Sequence, residues 1–129
     1  MEIKKKMLAA DDEPGIIHLL KDYFEMQDYQ VIEAENGMEV LEKISQNPDI
    51  ILLDVNMPGL DGFEVCERIR AHVSCPILFL TAKIEEADRI KGLMLGGDDY
   101  ILKPSVSKNW EQGWKPICEG KNELSAKSR

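Results

Sequence analysis

The sequence predicts an α/β fold in which helices cover both faces of a parallel β-sheet. Short apolar runs alternate strictly with longer segments of helical periodicity along residues 1–104. The run at residues 50–53 is continuously apolar, as expected for a central strand that is buried on both faces. Parallel strands need crossover connections, and a helix after each strand supplies them. These observations predict a doubly wound sheet of five strands.

Each predicted element begins or ends at a recognisable residue. The strands are placed at residues 7–10, 29–34, 50–53, 76–80 and 100–102. The second strand alternates apolar and polar residues, whereas the others are apolar runs. Pro14 opens the first helix and Gly37 precedes the second, which ends before Pro48. A breaker-rich loop at residues 57–62 precedes the third helix, and the fourth covers residues 85–95 before Gly96 and Gly97 stop it.

Length and composition describe one soluble domain. The chain has 129 residues, of which 43% are hydrophobic and 31% charged, and no apolar run approaches the roughly 18 residues of a membrane span. The start, MEIKKKMLAADDEP, lacks the layout of a signal peptide, so we expect a cytoplasmic protein without membrane contact. The net charge of -8 disfavours direct nucleic-acid binding by this chain. Cys66, Cys75 and Cys118 have neither disulfide-framework nor zinc-site spacing, and we expect them to be reduced.

Polar residues follow four of the predicted strands at the point where each strand ends. They are Asp11 and Asp12 after the first strand, Asp54 after the third, Thr81 after the fourth and Lys103 after the fifth. Because the carboxyl ends of parallel strands share one edge of the sheet, we expect these side chains to meet. Three carboxylates held together resist ionisation unless a cation neutralises them. Since Mg²⁺ prefers oxygen ligands and keeps several waters, the sequence predicts a magnesium site.

The motifs ADDEP, LLDVNMPGLDG, LTA and GGDDYILKP resemble those of the receiver domains of two-component response regulators. The resemblance covers residues 1–104 with the spacing of that family. It implies a flavodoxin-like sheet with strand order 2-1-3-4-5. It also implies a signalling switch rather than an enzyme, which takes a phosphoryl group from the phosphohistidine of a sensor histidine kinase. Such a switch assists its own phosphorylation and dephosphorylation, and it changes the surface of the fourth helix and fifth strand.

The resemblance also implies a role for each site residue. Asp54 is the phosphoacceptor, and the metal ligands are Asp11, Asp12, Asp54 and the backbone carbonyl of Asn56. Thr81 and Lys103 contact the phosphoryl oxygens, and Thr81 and Tyr100 form the switch. The chemistry of the residues agrees, because an ionised aspartate can attack phosphorus without a general base. Magnesium and a lysine can offset the charge of the phosphoryl oxygens, and a threonine hydroxyl can donate to one of them.

Other interpretations of the same residues predict different outcomes. A magnesium-dependent phosphohydrolase would carry D-x-D after its first strand, whereas here Asp54 ends the third. A flavin carrier needs a glycine- and hydroxyl-rich phosphate loop after the first strand, and the acids of residues 11–13 would repel the flavin phosphate. A phosphate-independent interaction module stays open for any receiver. Among single residues, Tyr100 could simply pack on the sheet, and the sequence Lys103-Pro104 predicts a cis peptide.

Residues 105–129 depart from the pattern of the body. Basic residues outnumber acidic ones there, both tryptophans lie there, and Gly113 and Pro116 would interrupt a fifth helix. Back-translation from the third base of each codon permits Glu-Leu-Gly at residues 108–110, followed by an amphipathic helix. We therefore hypothesise a frameshifted tail on a receiver body, from a parent with a winged-helix DNA-binding output domain that this product lacks. The alternative is a single-domain receiver with an unusual terminus. A poorly covered apolar face near the fourth helix and fifth strand would favour self-association.

Overall fold

The computed structural model describes residues 4–82 and 86–104. Five parallel strands form one sheet in the order β2-β1-β3-β4-β5, where the strands are β1 Lys5–Ala10, β2 Tyr29–Ala34, β3 Ile50–Asp54, β4 Ile77–Thr81 and β5 Asp99–Leu102. The helices are α1 Pro14–Met26, α2 Gly37–Lys43, α3 Gly62–Ile69 and α4 Glu86–Met94. The predicted fold class and strand order are confirmed. The predicted tail, with its doubtful fifth helix, lies outside the described residues.

Strand periodicity divides the core into two layers. Leu8, Leu53 and Phe79 point to the face covered by α2 and α3, where they join Val40, Val65 and Ile69. Met7, Leu52 and Leu80 point to the opposite face, where they join Ile16, Leu20 and Phe24 of α1. Successive strand residues alternate between faces, so one apolar strand feeds both layers. This explains why β3 is buried along its whole length.

Element boundaries differ slightly from the sequence expectations. Strand β1 begins at Lys5, because Lys5 and Lys6 pair with β2 although their side chains are not apolar. Helix α2 ends at Lys43 and continues as a 3₁₀ turn over Ile44–Gln46, after which Asn47 takes a left-handed backbone with φ 58°. Helix α4 begins at Glu86 and ends at Met94, one residue inside the expected range at each end.

Local capping fixes the start of α3, the helix that follows β3. The Asp61 carboxylate accepts from the Glu64 backbone N–H at 2.9 Å, and the Glu64 carboxylate accepts from the Asp61 N–H at 3.1 Å. This capping box satisfies two N–H groups at the start of α3. A Cβ on Gly62 would contact the carbonyl oxygen of Asp54 and lie 3.0 Å from its carbonyl carbon. Glycine therefore lets α3 begin directly against the end of β3.

Candidate phosphoacceptor and metal site

Backbone pairing brings the predicted site residues to one edge of the sheet. Asp54 lies beside Leu80 in the β3–β4 register, and Thr81 lies beside Leu102 in the β4–β5 register. The Lys103 N–H then donates to the Thr81 carbonyl at 2.8 Å, and the Asp11 N–H donates to the Ala34 carbonyl at 3.1 Å. These bonds extend the ladder past the strand ends, so the residues that carry the polar side chains are held in register.

Asp54 is a fully buried carboxylate at the centre of the site. Its Oδ1 accepts from the Asn56 backbone N–H at 3.1 Å and lies 3.2 Å from Lys103 Nζ. Its Oδ2 is buried and has no hydrogen-bonding partner among the described residues. Burial raises the pKa of Asp54 to about 6; the Asn56 N–H and Lys103 oppose this shift, and the charge of Asp11 adds to it.

Asp11 is the second buried carboxylate, with 1% of its surface exposed. Its Oδ1 accepts from the Glu13 N–H at 2.9 Å, which ties the β1–α1 turn to the site. Its Oδ2 forms an ion pair with Lys103 Nζ at 3.0 Å. Burial raises the pKa of Asp11, while the Glu13 N–H and Lys103 lower it. Two buried carboxylates thus share one cation.

Lys103 is the cation that they share. Burial alone would lower the pKa of Lys103, but Asp11 and Asp54 outweigh burial and raise it. The ammonium therefore stays charged at neutral pH. Its Nζ also lies 3.6 Å from Glu13 Oε1, a third carboxylate that sequence reasoning did not assign to the site. The sequence shows three consecutive acids at residues 11–13, but only the folded structure shows that Glu13 lies near Lys103.

The predicted cis peptide before Pro104 is wrong, because every peptide bond of the described residues is trans. The Lys103 side chain reaches Asp11 and Asp54 from a backbone whose peptide bond to Pro104 is trans. The Lys103 N–H bond to Thr81 already sets the direction of the chain at the end of β5.

The arrangement of acids fits a divalent cation. Asp11, Asp12 and Asp54 each offer a carboxylate oxygen, and these oxygens lie within 4.8 Å of one another. Asp12 is exposed, so the cluster opens to solvent on one side. The buried Asp54 Oδ2 atom has no hydrogen-bond donor among the described residues, and the buried Asp11 Oδ2 atom is paired with the Lys103 ammonium. A hard cation can bind both oxygens. The structure thus brings together the three predicted carboxylate ligands. Asn56 lies two residues after Asp54, on the adjoining loop.

Thr81 and Tyr100 occupy neighbouring strands at different depths. Thr81 is 7% exposed at the end of β4. Tyr100 is buried in β5; its ring lies 5.1 Å from that of Phe79, and its hydroxyl donates to the Asp88 carbonyl of α4. The Tyr100 ring therefore occupies an inward position in this structure, and its hydroxyl is hydrogen-bonded to the backbone of α4.

Comparison with known proteins decides the family. A family model described as "Response regulator receiver domain" matches residues 7–112. The chain belongs to the response regulator receiver domain family. Receiver domains have histidine kinases as their general kind of partner. None of the described helices combines the length and the apolar character needed to cross a bilayer.

Named relatives are transcriptional regulators. The receiver is 52% identical over 100 residues to the transcriptional regulatory protein ResD of Bacillus subtilis, covering 77% of this chain and 42% of that protein. It is 44% identical over 128 residues to the alkaline phosphatase synthesis transcriptional regulatory protein PhoP of Bacillus subtilis, covering 98% of this chain and 53% of that protein. The chain thus spans about half the length of these relatives.

Solved receiver structures share the fold. The BeF3-activated N-terminal receiver domain of Klebsiella pneumoniae RstA matches with a TM-score of 0.74 and 32% identity, over 78% of this chain and 87% of that one. Chemotaxis protein CheY4 of Vibrio cholerae matches with a TM-score of 0.76 and 31% identity, over 84% of this chain and 92% of that one. Both support the flavodoxin-like architecture.

Proposed function

We propose that Asp54 accepts a phosphoryl group from the phosphohistidine of a sensor histidine kinase in a magnesium-dependent reaction. The observation that carries the proposal is the buried Asp54 carboxylate, which has one oxygen without a hydrogen bond and Lys103 at 3.2 Å from the other. The Oδ2 atom attacks phosphorus, and the bond from phosphorus to the histidine nitrogen breaks. The imidazole leaves with the electron pair. The carboxylate needs no base when it is ionised.

Asp11, Asp12, Asp54 and the backbone carbonyl of Asn56 would hold the metal ion. Magnesium supplies positive charge that offsets both the carboxylates and the phosphoryl oxygens. This role is supported by the close grouping of the three carboxylates and by their cost when unneutralised. Asp11 is already engaged by the Glu13 N–H and Lys103, whereas Asp12 is exposed. We therefore assign Asp12 as the direct ligand and Asp11 as a largely outer one.

Lys103 and Thr81 would bind the phosphoryl oxygens. Lys103 Nζ already lies within 3.2 Å of Asp54, so it can transfer part of its contact to a phosphoryl oxygen without moving its backbone. The Thr81 hydroxyl is on the adjacent strand end and can donate to another oxygen. These residues make the chain a phosphoacceptor that assists its own phosphorylation and dephosphorylation, rather than an enzyme acting on a separate substrate.

The output of the switch is the α4–β5 face, defined by the exposed apolar residues Ile90, Leu93, Met94 and Leu102. Movement of the Thr81 hydroxyl towards a phosphoryl group changes the space beside β5, and the position of Tyr100 responds. Phosphorylation then shifts an existing equilibrium of α4 positions. Apolar side chains on this face suit self-association, because a contiguous apolar surface is stabilised when it is covered.

For the whole protein, we propose a cytoplasmic response regulator from a DNA-binding transcriptional family. The transcriptional relatives support this role, and the acidic receiver itself is not the nucleic-acid contact. We propose that residues 105–129 are read in a shifted frame relative to the parent gene. The coding DNA tests this directly. A downstream frame without a winged-helix sequence contradicts the frameshift.

The phosphoacceptor assignment is tested with a small phosphodonor. Wild type is incubated with acetyl phosphate, with and without Mg²⁺, and the phosphorylated fraction is read by intact-protein mass spectrometry. We expect labelling only with the metal, and none in Asp54→Ala or Asp54→Asn. Asp22→Ala, which removes an exposed carboxylate of α1, is the matched control and keeps the label. Equal labelling of wild type and Asp54→Ala contradicts the assignment.

A further inference from the structure

Gly92 is a buried glycine inside helix α4. Glycine in a helix interior is less favourable than alanine, so packing must explain its presence. A Cβ at this position would contact the Tyr100 hydroxyl, and it would lie 2.6 Å from Phe79 Cε2 and 3.0 Å from Phe63 Cε1. The backbone of α4 therefore rests directly on three aromatic rings, with no space for a methyl group between them.

The three rings form a continuous row that begins beside the phosphoacceptor. Phe63 follows Gly62, whose backbone adjoins the Asp54 carbonyl. The Phe63 and Phe79 ring centroids are 5.0 Å apart, and those of Phe79 and Tyr100 are 5.1 Å apart. Tyr100 ends the row, and its hydroxyl passes Gly92 to reach the Asp88 carbonyl one helical turn earlier. A methyl group on residue 92 would obstruct that path.

Contacts near Gly92 restrain the helix. Lys91 Nζ lies 4.9 Å from the centre of the Phe63 ring. The Cys66 thiol donates to the Leu95 carbonyl at 3.6 Å. A Cβ on Gly97 would lie 2.9 Å from Phe79 Cζ, so the turn after α4 is also packed closely. Because α4 is held against α3 and β4, we expect an added methyl group to displace the Tyr100 ring more readily than the helix.

We propose that Gly92 is a positioning residue that admits the Tyr100 ring to its buried place under α4. Side-chain bulk at residue 92 sets the balance between the buried and the displaced ring. The effect on ring position follows from packing alone. Its consequence for signalling rests on the proposed phosphoacceptor function, so the two parts are measured separately.

Ring position is measured by ¹⁹F NMR of protein labelled with 3-fluorotyrosine. The chain contains Tyr23, Tyr29 and Tyr100, and Tyr100→Phe identifies the resonance of the third. In Gly92→Ala we expect this resonance to shift towards that of free fluorotyrosine and to broaden more with a soluble paramagnetic agent. Glu67→Ala, an exposed change on α3, leaves it in place. An unchanged Tyr100 resonance in Gly92→Ala overturns the proposal.

A thermal stability cycle gives a second test that tolerates poor folding of the single variant. Gly92→Ala should lower the Tm when Tyr100 is present. In a Tyr100→Ala background the contact with Phe79 and Phe63 remains but the tyrosine ring is absent, so the same substitution should lower the Tm by less than it does in wild type. An equal loss in both backgrounds means that Gly92 does not serve Tyr100, and it overturns the proposal.

The link to signalling is measured by amide hydrogen exchange with and without acetyl phosphate and Mg²⁺. The phosphorylation-dependent change across α4 and β5 should be smaller in Gly92→Ala than in Glu67→Ala, which alters an exposed residue of α3. The same change in both variants overturns the link. If acetyl phosphate does not phosphorylate the wild-type protein, the proposed function is contradicted instead. The ring-position and stability measurements would still decide whether Gly92 positions Tyr100.

Discussion

The polar groups at the two ends of the sheet differ in how completely they are hydrogen-bonded. At the carboxyl end, the buried Asp54 Oδ2 atom has no hydrogen-bond donor among the described residues, and the buried carboxylates of Asp11 and Asp54 share the single Lys103 ammonium. At the amino end, the Arg70 guanidinium donates to the carbonyls of Gly96, Val73 and Cys75 at 2.8, 3.0 and 2.9 Å, and to Asp98 at 3.2 Å. In the described part of the chain, no buried side-chain oxygen at the amino end lacks a partner in this way.

The difference indicates which polar groups stabilise the fold. The Arg70 clamp, meaning Arg70 with its four acceptors, joins the turn after α3 to the loop before β5. Asp98 extends it by accepting from the Ile77 N–H at 2.8 Å. The acidic cluster instead places like charges together in a buried site, which costs stability unless a cation arrives. One end of the sheet favours the fold, and the other retains a cost that ligand binding can relieve.

The largest expected effect comes from breaking the amino end. Arg70→Met keeps much of the apolar stem but leaves three carbonyls without their donor, so we expect a loss of about 3 kcal/mol in the free energy of unfolding. Half-exposed Asp98 contributes little of this. Urea denaturation measures the change, with Arg68→Met, an exposed arginine of α3, as the control. Equal midpoints for the two variants would show that the clamp is energetically unimportant.

At the carboxyl end we expect a substitution to increase the free energy of unfolding rather than to decrease it. With the pKa of Asp54 raised to about 6, the folded state binds more protons than the unfolded chain between about pH 4 and pH 6. Stability from this group is therefore present at low pH and falls as pH rises through that window. Without divalent metal, Asp54→Asn should stabilise the protein at pH 7 by on the order of 2 kcal/mol, and the gain should shrink towards pH 4.

Chemical denaturation at several pH values, in chelator, measures this gain. Asp49→Asn is the control, because Asp49 is an exposed acid at the amino end. A gain that stays constant from pH 4 to pH 7 would contradict the raised pKa.

The sequence predicted the carboxyl end far better than the amino end. Asp54 and Lys103 follow apolar runs that mark strand ends, and parallel strands bring their carboxyl ends together, so residue type and position were enough. Arg70 was not predicted, because its acceptors are mainly backbone carbonyls in two separate loops, and side-chain identity carries no signal for them. Likewise, glycine at position 92 is unfavourable in a helix, but only the packed structure shows that it makes space for the Tyr100 ring.

Magnesium should partly remove the contrast between the two ends. A ligand that binds only the folded state stabilises it, by about 1.4 kcal/mol at ten times its Kd. We expect this stabilisation to raise the Tm of the wild-type protein. The rise should be reduced more in Asp12→Ala than in Asp11→Ala, because Asp11 is already bound by Lys103. Differential scanning fluorimetry and calorimetric titration with MgCl₂ measure both. The reverse order of the two variants would contradict the assignment of the direct ligand.

The smallest effect is expected at Glu13, which tests whether proximity to the site is enough to matter. Its carboxylate lies 3.6 Å from Lys103 Nζ, but 61% of the side chain is exposed. Exposed ion pairs contribute little, so Glu13→Gln should change the free energy of unfolding by less than about 0.5 kcal/mol. The Glu13 N–H bond to Asp11 is a backbone contact and survives the substitution. A loss in urea denaturation comparable to that of Arg70→Met would mean that Lys103 depends on all three carboxylates, and that the carboxyl end is stabilised as a network rather than held at a cost.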